Sequence, residues 1–168
     1  MLYASPNALK QVQSLGHHFN PSSTLQDKLG LAGSCYELTA SIPSVISYFG
    51  PDPSASWAAI EKHEFDLQST LLAYLSARPD VTICGEKDPD TKKRVSTISF
   101  VVEGKNSRDI VEKVDEISKG EMGIRWGGFY SNRLVEEVLG LGKDGVVRVS
   151  MVHYNACKLR ISEGMVEC

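Results

Sequence analysis

Residues 145–152, GVVRVSMV, are the stretch on which the reading of this chain turns. A short run rich in valine reads as a β-strand. Arg148 stands in its middle, between Val147 and Val149, where an unpaired charge would be costly to bury. A guanidinium in such a place has two ordinary explanations: it faces solvent, or it pairs with a nearby acid. It has one functional explanation, which is that its planar fork grips a carboxylate through two parallel hydrogen bonds.

Working back from that strand, Asn132 to Leu139 reads as a helix and Met122–Arg125 as a short strand. Ile110, Val111, Val114 and Ile117 form a helical stripe with Asn106 or Ser107 as its cap. Ile98, Phe100 and Val102 alternate with other residues as a strand, as do Val81 and Ile83, and the charged segment GEKDPDTKK (85–93) is a loop between them. The order after residue 79 is strand, strand, helix, strand, helix, strand. That order predicts an α+β layer with helices packed on a small sheet.

Further toward the N-terminus, Trp57, Ile60, Leu67, Leu71, Leu72 and Leu75 mark a long helix over about 55–77. Gly50, Pro51, Asp52 and Pro53 form a break before it. Cys35, Leu38, Ile42, Val45, Ile46 and Phe49 share one face of an earlier helix, with Ser34 and Glu37 at capping-box spacing and Pro43 expected to kink or split it. Residues 16–30 read as loop, and Pro6 can start a helix running to about Leu15. Met1–Ala4 resembles the end of a strand that began earlier.

The 168 residues carry a net charge of −3, with 42% hydrophobic and 23% charged residues. These values suit an ordinary globular unit with a sizeable core. They argue against a nucleic-acid-binding surface, since no basic arm or lysine-rich run is present. No stretch approaches the roughly 18 apolar residues of a membrane span, and the first residues do not read as a signal peptide. Cys35, Cys84, Cys157 and Cys168 form no CxxC pair and read as reduced thiols, which points to the cytoplasm. His17 and His18 are adjacent in a polar loop and read as exposed rather than as a metal site.

Three segments, in order, resemble one family. They are KLGLAGSCYELTASIPSVISYF (28–49), GIRWGGFYSNRL (123–134) and VVRVSMVHYN (146–155). Together they are similar to the C-terminal part of class V aminotransferases, and within these to the cysteine desulfurase-like proteins of the fold-type I pyridoxal-phosphate enzymes. The resemblance implies a remnant of the large cofactor-binding domain over 1–54 and a small C-terminal α+β domain over 55–168. It implies a small amino-acid substrate and a homodimer when complete. Arg148 takes the position that binds the substrate carboxylate. Gly33 and Ser34 match the G-[TS] pair that contacts the cofactor phosphate of the neighbouring subunit, although Ser34 capping its own helix is an equal alternative. Tyr130 occupies the position of the desulfurase's nucleophilic cysteine. A phenol cannot take up a persulfide, so desulfurase chemistry is not expected. Trp126, Phe129 and Tyr130 could line the mouth of the site or simply pack.

The cofactor lysine of the family would fall before residue 1, and none of the eleven lysines present lies in a matching motif. The expectation is therefore a partial chain, inactive alone, that does not retain pyridoxal phosphate. After Asn155 the match ends, and ACKLRISEGMVEC lacks the stripe of the family's final helix. Two other readings remain: a non-catalytic interaction module, and an unrelated small α+β ligand-binding domain.

Overall fold

A computed structural model describes residues 2–14, 16, 18–19, 21–30 and 35–156, and the backbone of 158–161 and 164–167. The chain falls into two units, Met1–Pro51 and Asp52–Cys168.

The second unit begins with α4, Pro53–Ser76, because Asp52 accepts a hydrogen bond from the Ala55 amide and Pro53 sits at the first helical position. The proline cluster taken as a break is thus the start signal of this helix. The N-terminal half of α4 leaves Trp57 exposed, while Leu67, Leu71, Leu72 and Leu75 are buried on its C-terminal half. The chain then forms β1 (Val81–Cys84), β2 (Thr97–Val102), α5 (Ser107–Ser118), β3 (Arg125–Gly127) and β4 (Val146–Ser150). All neighbours are antiparallel, in the order β1-β2-β4-β3. Leu71, Leu72 and Leu75 of α4 and Val111 of α5 pack with Ile83, Ile98, Phe100, Val102 and Val147 in one core. This is the expected α+β layer.

Local signals fix the ends of these elements. The Asn106 side chain caps α5 by accepting from the Arg108 amide, and the Asp144 carboxylate accepts from the Ser107 amide at 2.6 Å. That second bond ties a short 3₁₀ turn, Gly142–Asp144, to the start of α5. Of the α5 stripe, Val111 is buried but Ile117 is 64% exposed. The third strand lies at 125–127 rather than 122–125. The helix expected over 132–139 is present over 132–138, with Leu134–Val138 wound as a π-helix. An antiparallel hairpin, β5 (Lys158–Ile161) with β6 (Gly164–Glu167), lies in the segment that lacks the stripe of the family's final helix.

In the first unit, α1 (Pro6–Gln11) is shorter than expected. Lys28 donates to the carbonyls of Leu9 and Val12 near its end. The segment read as loop contains α2 (Leu25–Leu29), with a capping box made by Thr24 and Asp27. That signal was present in the sequence and was overlooked. α3 runs unbroken over Tyr36–Phe49 with Pro43 inside it, and Cys35 rather than Ser34 is its N-cap residue. The Cys35 thiol donates to Glu37. Cys35 makes no capping hydrogen bond to the helix, and the expected Ser34–Glu37 box falls on Ser34, which lies outside the described residues.

Candidate functional site

In a sheet, residues directly opposite one another on paired strands share a face. The pairing sets Cys84 opposite Ser99, Ser99 opposite Arg148, and Arg148 opposite Arg125. These four residues form a row across the sheet on the face away from the core. The core face carries Ile98, Phe100 and Val147, buried under α4 and α5. Arg148 is half-buried within the row and Arg125 is exposed. Neither guanidinium takes part in an ion pair among the described residues. The alternative in which Arg148 simply pairs with a nearby acid is therefore not what these residues present.

The turn after β3 completes the setting. Phe129 and Tyr130 both have left-handed backbone, with φ of 49° and 62°. Bulky residues reach this region at a cost of roughly 1–2 kcal/mol each. The bend carries Phe129 back over the sheet, and the Arg148 guanidinium lies 3.8 Å from its ring centroid. A cation against an aromatic face gains about 1 kcal/mol, and stacking leaves the edge of the guanidinium fork free to donate.

Tyr130 is fully exposed at the tip of the turn. Trp126 belongs elsewhere: its strand partner is Val147, on the core face, and its ring stands 5.7 Å from the Arg108 guanidinium. Of the three aromatics weighed for the mouth of a site, Phe129 alone contacts Arg148, and Trp126 is on the opposite face. Sequence reasoning passed over Arg125. Its place opposite Arg148 follows from the register of β3 on β4, which the tertiary structure sets. Gly33 and Ser34 lie outside the described residues.

Cys84 shares the row, but burial pushes its thiol pKa up. A protonated thiol is a poor nucleophile. Among the described residues no group of three or more His, Cys, Asp or Glu side chains could hold a metal ion, and no helix is long and apolar enough to cross a membrane.

Pyridoxal phosphate fits these residues only in part. The row carries two guanidinium groups, yet β1–β4 contain no lysine. Lys28 is bonded to two backbone carbonyls, while Lys62, Lys93 and Lys113 are paired with acids.

A four-stranded antiparallel sheet with two helices on one face and an unpaired arginine on the other, among the described residues, is the setting in which the comparisons fall. The family profile for class-V aminotransferases matches residues 2–158, and the chain belongs to that family. Members of the family work with pyridoxal phosphate.

The chain is 51% identical over 155 residues to "Aminotransferase-like protein FGM3" of Gibberella zeae, covering 92% of this chain and 38% of that protein. It is 34% identical over 157 residues to "Cysteine desulfurase-like protein ustD" of Aspergillus flavus, covering 92% of this chain and 35% of that one. A "Nonribosomal peptide synthetase-like enzyme fsqF" of Aspergillus fumigatus is 36% identical over 157 residues, 92% of this chain and 10% of its own length. The chain thus spans little more than a third of the first of these relatives. Among solved structures, the apo cysteine desulfurase of Thermococcus onnurineus NA1 superposes with a TM-score of 0.50 at 24% identity, over 67% of this chain and 24% of that one. That likeness shows the fold.

Proposed function

We propose that this chain supplies the substrate-binding part of a pyridoxal-phosphate-dependent class V enzyme acting on a small amino acid. In this reading 1–54 derives from the large cofactor domain and 55–168 is the small domain. The observation that carries it is Arg148: half-buried, stacked on Phe129 and unpaired with any acid among the described residues. A guanidinium so held is pre-organised for a carboxylate. Tyr130 at the nucleophile position and the raised pKa of Cys84 support a chemistry other than desulfuration.

The same reading assigns the lysine Schiff base to residues outside this chain, so the 168 residues alone carry out no cofactor chemistry. Gly33 and Ser34 remain the candidates for the cofactor phosphate, held across a homodimer. The exposed Leu38, Ile42, Val45 and Ile46 of α3 support such an interface, as large apolar patches mark surfaces that become covered. The unpaired thiols of Cys35 and Cys84 favour a cytoplasmic setting.

Two measurements test this. The purified chain mixed with pyridoxal phosphate should show no visible Schiff-base band and no adduct after borohydride, and a trapped adduct would refute the assignment. Arg148→Gln should weaken binding of a simple carboxylate by about tenfold or more, the worth of a lost charge-assisted bond. Unchanged binding would remove Arg148 from its role.

A further inference from the structure

A directly opposed pair of like charges on neighbouring strands is destabilising unless something offsets it. Arg125 and Arg148 are such a pair, on the open face of the sheet, with no acid bonded to either among the described residues. On its other side Arg148 faces Ser99, a neutral hydroxyl. The row is therefore lopsided: hydrogen-bonding but uncharged toward β1, doubly cationic toward β3.

One carboxylate satisfies one guanidinium fork, and Arg148 already offers its fork in a fixed plane against Phe129. The second fork, Arg125, is left for a second anion. Opposed side chains spring from points about 4.5–5.5 Å apart. That spacing is of the order of the separation between the two carboxylates of a short dicarboxylic acid.

We infer that the site takes an amino acid with an acidic side chain, Arg148 holding one carboxylate and Arg125 the other. This rests on the reading of Arg148 as a carboxylate clamp and adds to it the substrate class. Arg125 sits on an edge strand and is exposed, so its replacement leaves the core untouched. It acts as a specificity residue: the uncharged side of the row would accept any amino acid, and the Arg125 side rewards a second negative charge.

The test uses the chain as it is, titrated by calorimetry or amide-shift mapping at constant ionic strength. The probes are succinate and butyrate, which share a four-carbon chain and differ by one carboxylate. Succinate should bind about tenfold tighter than butyrate, the worth of one further charge-assisted pair. Arg125→Gln should bring that ratio close to one. Arg148→Gln should weaken both ligands. A ratio near one in the parent chain, a ratio that survives Arg125→Gln, or a folded chain that binds no succinate would overturn the inference. A preserved ratio in Arg125→Gln with butyrate binding lost in Arg148→Gln would sink the substrate class alone. Butyrate binding unaffected by Arg148→Gln would sink the clamp beneath it.

Discussion

Tyr130 carries its full side chain in solvent and holds a left-handed backbone. With no packing to lose, its replacement isolates the backbone term. Tyr130→Gly removes a strain of about 1–2 kcal/mol and adds roughly 0.5–1 kcal/mol of unfolded-state entropy, so the variant should be more stable by up to about 1 kcal/mol. Urea midpoints would show it, and a clear loss of stability would mean that the phenol has a contact it does not display. Phe129 behaves differently, because its ring is half-buried against Arg148. Its strained φ positions a contact that orients the guanidinium, so strain here coincides with the candidate site. At the center of the core, Ile98 is fully buried, and Ile98→Ala should destabilise the fold by about 2–5 kcal/mol.

At the scale of elements, the junctions next to the site are the sensitive points. Gly145 has φ of +77°, and a Cβ there would stand 2.3 Å from the carbonyl carbon of Gly127. Gly145→Ala must push β3 away from β4, costing more than about 1 kcal/mol and separating Arg125 from Arg148. The check is a lower unfolding midpoint together with loss of succinate preference. Asp144→Ala removes the carboxylate that accepts from the Ser107 amide, and α5 should lose about 1–2 kcal/mol of anchoring.

The turn between α4 and β1 supplies a pH signature. Arg78 donates through Nε and Nη2 to the two oxygens of Asp80, at 3.0 and 2.6 Å. Those hydrogen bonds hold the Asp80 carboxyl below its ordinary value of 3.8. Because the folded pKa is depressed, the carboxylate's contribution is fully present above the unfolded value. It is lost as pH falls through the folded one. Parent and Asp80→Asn midpoints should therefore differ at pH 7 and converge as pH falls through the depressed carboxyl pKa. A constant difference across that range would mean the pair adds nothing.

Across the whole molecule, buried residues are distributed unevenly. Every buried apolar residue among those described lies between Leu67 and Val147, and none of the described residues up to Pro51 is buried. Short helices without a packed face are marginal in water. Amide exchange should therefore be slowest in β2, β4 and the C-terminal half of α4, and fast throughout α1–α3. Protection in α3 equal to that in β4 would show that its apolar face is already covered in solution.

Period and punctuation determined much of this in advance. Alternation in 98–102, the leucines of 67–75 and the valines around Arg148 led to the four-stranded layer and to the arginine on it, because burial of one face leaves a repeat that can be read along the chain. Capping chemistry was equally local, and the Thr24–Asp27 box of α2 was missed although it was there to be read. Other features depended on residues distant in sequence. Pro43 does not split α3, and the third strand sits at 125–127 rather than 122–125. The pairing of Arg125 with Arg148 and the placing of Trp126 on the far face are matters of register. Register is settled by which strands meet and by the close approach of Gly145 to Gly127, and no single segment encodes that meeting.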